Sequence, residues 1–416
     1  MPNQPPNSNN LDPMHVVVVN DHALVNGGAS RVAIRSARAL AQRGVKVHFF
    51  AAVGPVCEDL LGQENLEVTC LETTPYNKSP FPRAMLAGIW DKAAGNSLHA
   101  ILAKLPRSAV VHFHSNRDAL SNSVFAPVFE AKLPLVYTCH EYGLACPYAS
   151  FFDHKRNAPC GKTALTFACL CVHCNRKGYD KKLWTFARQA VQNRSVKLPN
   201  RIGDIVYVSE FSRRILAPYV GSQARQHLLA NPIDAVRGEH RKLTPESPFL
   251  FAGFLTDVKD PVTAAAAAAL ANVPIRFVGD GEAKEAVLKA NPDAVVTGWL
   301  KPDEVRQEML RARALVMPSI WYETQGMVVQ EAMALGLPVI VSKACAASET
   351  VKDGVNGFLA DPGSVDQFSA AITKLMDDQT ACEMGKAAAA SYWSNPADID
   401  KHVDGLIAIY EGAMKA

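Results

Sequence analysis

Two glutamates, Glu323 and Glu331, lie with seven residues between them inside one stretch, Ala314–Gly363. Ala314–Met317 is a short apolar run that reads as a buried strand, and Ser319–Gln325 is a polar and aromatic loop. Gly326–Leu335 is rich in helix formers with one charge, Gly336 and Pro338 end it, and Val339–Val341 is a second apolar strand. This is a βαβ unit, hence part of a parallel sheet. Glu323 falls in the loop at the strand's C-terminal end and Glu331 one turn into an otherwise apolar helix. A carboxylate on a buried helix is costly unless something binds it. The free N–H groups around Gly326, Met327 and Val328 suit a phosphate, and Glu331 suits the hydroxyls of a ribose on the same ligand. The spacing alone also fits a glutamate that only complements the helix dipole.

The elements that must position these groups alternate regularly. His15–Asn20 (HVVVVN) is a buried strand followed by Gly27-Gly28, a helical stretch Ser30–Arg43, Gly44, and the strand Val45–Ala51. Val110–His114 and Leu135–His140 read as further strands, the second ending in His140, and Ile205–Ser209 and Leu228–Asp234 follow. Ala235–Ser247 is polar and charged, as a linker would be. A second series opens with Phe249–Phe254 and Lys259, then an Ala-rich helix, Thr263–Leu270. It continues with Ile275–Val278 before Gly279-Asp280-Gly281, and Val295–Thr297 before Gly298-Trp299-Leu300. Asp398–Met414 is an amphipathic end helix. The expected fold is therefore α/β, two doubly wound, Rossmann-like parallel-sheet domains. The expected limits are a disordered leader over 1–13 and an N-terminal domain over 14–234 with an insertion at 146–174. A C-terminal domain over 235–395 and a final helix over 396–416 follow.

Composition narrows the class. The chain has 416 residues, a formal charge of +3 and ten cysteines. That charge argues against a dedicated nucleic-acid binder, and no apolar run reaches the ~20 residues of a spanning helix. MPNQPPNSNN lacks the basic start and apolar core of a signal peptide, so the cysteines are expected as thiols or metal ligands in a reducing, cytoplasmic setting. Cys146, Cys160, Cys171 and Cys174 supply four soft ligands for a structural zinc, with free thiols as the alternative. Residues 151–214 carry thirteen Lys/Arg against four Asp/Glu. They read either as a solvated face or as a surface for anionic lipid or a lipid-diphosphate acceptor.

Pro318-Ser319, Glu323, Glu331-Ala332 and Gly336-Leu337-Pro338-Val339, continued by Glu349, Asp353-Gly354, Asn356-Gly357-Phe358 and Pro362-Gly363, resemble the family-four group of retaining glycosyltransferases, which have the GT-B fold. The resemblance implies two domains facing a cleft and a nucleotide-diphosphate sugar as donor. Glu331 would hold the donor ribose, Glu323 would lie near the transferred sugar, and the 325–328 backbone would face the diphosphate. It also implies that Gly27 and Gly28 face the phosphates and acceptor side, that Gly298 lines the base, that His140 lies beside the transferred sugar, and that Lys259 clamps the diphosphate. The resemblance implies, too, that catalysis requires no metal or cofactor. The acceptor would be a glycan, a lipid-linked or a small molecule, as in polysaccharide biosynthesis, with the protein cytoplasmic or peripheral at the inner membrane face. Two departures stand out: Glu141 replaces the family's Asp, and Phe254 replaces an Arg that pairs with the Lys of the diphosphate clamp. Phe254 supports one rival, a non-catalytic GT-B binding or scaffolding subunit; a GT-B nucleotide-sugar epimerase is a second, over which the Glu323–Glu331 block favours a transferase.

Overall fold

The structure is a computed structural model that describes residues 13–76, 78, 83–238, 241 and 243–416; the expected leader, apart from Pro13, lies outside the described residues. The apolar runs form parallel strands, as fully buried β-branched segments do. They are β1 (His15–His22), β2 (Lys46–Val53), β3 (Leu66–Cys70), β4 (Val110–Phe113) and β5 (Leu135–Cys139). A two-stranded antiparallel hairpin, β6 (Phe152–Asp153) with β7 (Ala158–Pro159), lies in the cysteine-rich insertion. Then come β8 (Asp204–Tyr207), β9 (Arg225–Leu228), β10 (Phe249–Ala252), β11 (Ile275–Val278), β12 (Val295–Gly298), β13 (Leu315–Met317), β14 (Val339–Ser342) and β15 (Gly357–Ala360). One sheet has the order β3-β2-β1-β4-β5-β8-β9 and the other β12-β11-β10-β13-β14-β15. The expected pair of doubly wound Rossmann-like sheets is present, and each order reverses once, at β1/β4 and at β10/β13.

By contacts the chain forms two compact units. The first comprises Met1–Thr138, Ile202–Asp204 and Val403–Ala416, and the second Cys139–Arg201 and Ile205–His402. In the first unit, the reversal point is organised by a residue that sequence reasoning passed over. Asp21, fully buried at the end of β1, accepts hydrogen bonds from Ser115 Oγ at 2.5 Å and from the backbone N–H groups of Arg117, Asp118, Ala119 and Leu120 at 2.6 to 3.0 Å. One carboxylate thus fixes the loop that follows β4, the kind of multiple N–H donation that makes a buried charge tolerable. The end helix, Ile399–Met414, contributes Tyr410, whose hydroxyl bonds His112 Nδ1 at 2.7 Å on β4, and Asp404, which pairs with Arg43 at 2.8 Å.

In the second unit the core lies on both faces of β10, β13 and β14, with Phe249, Phe251, Ile275 and Phe277 against the Ala-rich helix Pro261–Leu270 on one side. Leu315, Met317, Val339 and Val341 pack against Val329, Ala332 and Met333 of the helix Met327–Ala334 on the other. Small residues let backbones close up at the turns. Gly253 donates its N–H to Val278 O, Gly279 donates to Gly298 O, and Leu255 donates to Asp280 O, so the turns after β10, β11 and β12 form one hydrogen-bonded layer. Gly279 (φ +137°) has no room for a side chain, because a Cβ there would stand 2.0 Å from Gly253 O.

Gly279→Ala is expected to destabilise the second sheet by about 3 kcal/mol or more, combining a disfavoured φ with a backbone clash. Denaturant unfolding of the variant checks this; a loss inside the roughly ±0.5 kcal/mol range of neutral surface changes would contradict so close an approach.

Candidate functional site

The loops that leave β10 and β13 flank the reversal of the second sheet, where the parallel strands point their C-terminal ends and ligands of such sheets bind. After β10 the chain makes the single turn Asp257–Lys259 and then enters the helix Pro261–Leu270, capped by Asp260, whose carboxylate bonds Thr263 Oγ1 at 2.6 Å. After β13 comes the loop to Gln325. The two loops touch: Ile320 N–H donates to Val258 O at 3.0 Å, and Lys259 Nζ donates to Glu323 Oε1 at 2.5 Å. Glu323 is buried and Lys259 three-quarters buried. The lysine stem runs alongside Gly253, where a Cβ would stand in ordinary contact, 3.6–3.7 Å from Lys259 Cδ and Nζ. A buried carboxylate of this kind is tolerated because a cation and hydrogen bonds answer it. The ammonium has three donors, so Lys259 can hold Glu323 and still present N–H bonds to a ligand.

The loop then feeds the helix Met327–Ala334. Its N-cap is Gly326 in the left-handed region (φ +75°), and no side chain caps it. The first-turn N–H groups of Met327 and Val328 therefore have no intrahelical acceptor, which is the arrangement that receives anions. A Cβ on Gly326 would stand 2.7 Å from Ala347 Cβ, which explains the glycine. Gln325 has a structural duty: its Oε1 accepts from Asn231 N–H at 2.7 Å and its Nε2 donates to Asn231 O at 3.1 Å, fixing the helix entrance. Glu331 stands half-buried on the second turn of this helix, in a field shared with Asp234, Asp398 and Tyr392, whose hydroxyl is pushed up to about 12 by burial and then by these carboxylates.

His140 reaches the same loop through its backbone, since Thr324 Oγ1 donates to His140 O at 2.9 Å. Burial, and then the nearby His402 imidazole, hold the His140 pKa down, to about 3, although part of the residue surface stays open. The ring is therefore neutral at physiological pH and acts as a hydrogen-bonding group rather than a cation. Gly298 lies on the turn joined to Gly279. Beside it Trp299 and Phe254, 57% and 48% exposed, pack edge to face with ring centroids 4.5 Å apart. Phe254 therefore is no core residue; with Trp299 it forms an exposed aromatic ledge. Gly27 and Gly28 belong to the other unit, at the start of the helix Gly28–Gln42, where a Cβ on either would meet nothing within 4 Å.

The cysteine set needs correction. Cys146, Cys160, Cys169 and Cys174 line one small cavity, whereas Cys171 is exposed. Residues 169 and 171 sit on the short helix Phe167–Leu170 and its C-cap, and two residues along a helix is a turn of about 200°, so they face opposite ways. The cavity also holds the side chain of Lys182, 1% exposed, whose ammonium donates to Cys174 Sγ at 3.2 Å and Cys169 Sγ at 3.5 Å. Among the described residues no group of three or more His, Cys, Asp or Glu side chains is set to hold a metal ion. A lysine ammonium among the sulfurs does not fit the four thiolates of a structural zinc.

Sequence reasoning also missed Arg176, at the end of the insertion. Its guanidinium donates to Asp257 Oδ2 at 2.6 Å, to Glu282 Oε1, and through Nε to His154 Nδ1 at 2.9 Å. It thereby ties the insertion to the turn that carries Lys259 and to the turn after β11. Its only sequence signal was membership of a basic run, which does not single it out.

Two sequence families match the chain: Glycosyltransferase Family 4 over residues 26–237, just over half of it, and Glycosyl transferases group 1 over residues 233–391. Sulfoquinovosyl transferase SQD2 of Arabidopsis thaliana is 39% identical over 120 residues, 27% of this chain and 23% of that protein. D-inositol 3-phosphate glycosyltransferase 1 of Catenulispora acidiphila is 26% identical over 428 residues, 94% of this chain and 91% of its own length. The aligned part spans only 23% to 33% of the first three curated relatives. Among solved structures, Anabaena HepE in complex with UDP and glucose aligns over 96% of this chain and 99% of its own, with a TM-score of 0.66 and 18% identity, a likeness of fold.

Two outcomes test the site's electrostatics. Lys259→Met should destabilise the second unit by about 3 kcal/mol, because it leaves Glu323 buried without its cation, and adding Glu323→Gln should recover most of that; equal stability of the single and double variants in chemical unfolding would refute a coupled pair. Because the folded pKa of His140 lies below its unfolded value near ~6.5, the unfolded chain binds the extra proton on acidification. Stability is then complete above the unfolded value and falls as pH drops through the acid range towards the folded value, at up to about 1.4 kcal/mol per pH unit. An NMR titration of the His140 ring should show no protonation between pH 5 and 8, and a midpoint near neutrality would contradict the buried, neutral ring.

Proposed function

Because this chain belongs to glycosyltransferase family 4, we propose that it is a retaining glycosyltransferase that moves a sugar from a nucleotide-diphosphate sugar to a glycan, lipid-linked or small-molecule acceptor. The observation that carries this reading is the Lys259–Glu323 pair at 2.5 Å beside the uncapped N-terminus of the helix Met327–Ala334. Lys259 and the N–H groups of Gly326, Met327 and Val328 would stabilise the charge that develops on the leaving diphosphate. Such preorganised donors lower the barrier most where charge appears in the transition state. They supply this without a metal, which is the basis for reading the reaction as metal-independent. Glu323, held by Lys259, faces the transferred sugar; Glu331 takes the ribose hydroxyls; neutral His140 hydrogen-bonds the sugar. The exposed Phe254–Trp299 ledge offers a π-face to the base. The donor then belongs to residues 235–395 and the acceptor to residues 14–234, with Gly27 and Gly28 leaving open backbone for it.

UDP is the nucleotide bound by HepE, while a GDP-mannose-dependent mannosyltransferase of Corynebacterium glutamicum is also among the relatives, 30% identical over 139 residues. The base is therefore chosen by experiment. No helix among the described residues is long and apolar enough to cross a membrane. The exposed Lys155, Arg156, Lys162, Lys177 and Arg194 would serve a peripheral contact with anionic lipid at the inner face, in the cytoplasm.

A thermal-shift screen with UDP-, GDP- and ADP-sugars should raise the melting temperature with one donor class, as a ligand specific to the native state does. Glu331→Ala should then weaken that donor by about 1.5–3 kcal/mol, the range for hydrogen bonds to a charged group. Unchanged donor affinity in a folded variant would remove Glu331 from the site. Donor binding without transfer to any acceptor would point to a non-catalytic binding subunit, and an epimerised donor formed without acceptor would point to an epimerase.

A further inference from the structure

The cavity in the cysteine-rich insertion has about 10 Å³ of free space, room for about one water molecule. Phe151, Phe152, Ala164 and Val172 form its apolar walls, and Cys146, Cys160, Cys169, Cys174 and Lys182 its reactive ones. Lysine is rarely buried without an acidic partner, since an unpaired charge in such a place is costly. None of the residues lining the cavity is a carboxylate, and among the described residues the Lys182 amine has two partners, Cys174 Sγ at 3.2 Å and Cys169 Sγ at 3.5 Å. The least costly way to hold this group is for amine and thiol to share protons, either as ammonium and thiolate or as amine and thiol, with no net charge in both forms. The ammonium–thiolate form sets a nucleophilic sulfur against a nitrogen in a space that admits one small molecule.

We propose that Lys182 and Cys174 form an oxidation-sensitive pair, which hydrogen peroxide joins covalently through one bridging oxygen, Nζ–O–Sγ. In the first step the Cys174 thiolate attacks a peroxide oxygen. The S–O bond forms, the O–O bond breaks, and the departing hydroxide takes a proton from the Lys182 ammonium to leave as water. This gives a sulfenic acid beside a neutral amine. In the second step the amine nitrogen bonds the sulfenic oxygen. One N–H and one O–H hydrogen are lost, and their two electrons and two protons reduce a second peroxide to two waters. Overall, one amine, one thiol and two peroxides give one N–O–S bridge and three waters. Cys169, the second sulfur at the nitrogen, is the competing partner. The bridge would fasten the helix Tyr179–Ala190, which carries Lys182, to Cys174, two residues before Arg176. Oxidation would thereby stiffen the base from which Arg176 holds Asp257 and Glu282. The proposal stands apart from the glycosyltransferase reading, because it needs neither donor nor acceptor.

The test is intact-mass and peptide mass spectrometry of the full chain, purified without added metal, before and after a graded hydrogen peroxide treatment. The expected result is a gain of one oxygen with a loss of two hydrogens. A fragment joining the Cys174 and Lys182 peptides should appear with it, and dithiothreitol should abolish both. Cys174→Ser should eliminate the bridge, and Cys160→Ser should leave it. Loss of two hydrogens alone would mean a disulfide within the cluster and would overturn the proposal. So would oxygen added to Cys174 without a cross-link, no mass change, or one zinc per chain accompanying the untreated protein. If Cys174→Ser fails to fold, the linked fragment from the wild-type chain decides by itself.

Discussion

The buried carboxylate of Glu323 is the constraint around which the second sheet's ligand face is built. It sits where the strand order reverses, and it is tolerable there only while Lys259 stays within hydrogen-bond reach. Meeting that condition fixes much of the surroundings. The Asp257–Lys259 turn must stay docked through Ile320, and Ala346 N–H must hold Glu323 O at 3.0 Å. A pair held this way places the lysine before any ligand arrives. Preorganisation of that sort is what an electrostatic site requires, since little rearrangement is left for the moment of reaction.

The first unit meets a comparable constraint by a different device. At the β1/β4 reversal Asp21 is answered by four backbone N–H groups and a serine hydroxyl instead of a cation. The outcome is a rigid loop with no ammonium to offer a ligand, while the second unit's reversal point has an ammonium and an uncapped helix. The two sheets thus share a doubly wound order and differ in the charge presented at the reversal.

The sheets were legible in the sequence because buried parallel strands are written as apolar runs, and HVVVVN or LPVIV has few other readings. The helix expected over Gly326–Leu335 forms over Met327–Ala334, its glycine serving as cap. Lys259 and Glu323 could each be named, yet their contact spans 64 residues of sequence and leaves no local trace. Cys171 was chosen for its CxxC spacing with Cys174, and helical phase instead turned Cys169 inward. Lys182 looked like one more member of a basic run, because burial of a lysine depends on partners that only the folded insertion brings together. Asp21 could have been flagged as an acid at the end of an otherwise apolar strand, which is the signal that was available.

Arg176 gives the cysteine-rich insertion a reach beyond its own fold. A single guanidinium from residues that precede β8 grips acids on the turns after β10 and β11. The two halves of the sequence are therefore not interchangeable parts. A chimera that joins this first half to the second half of a relative would need acids at the equivalents of Asp257 and Glu282. Without them it would carry an exposed arginine left with only His154 to hold. Recombination between such proteins is thereby filtered at three positions far apart in the gene, and the insertion and those two turns should be exchanged together or left alone.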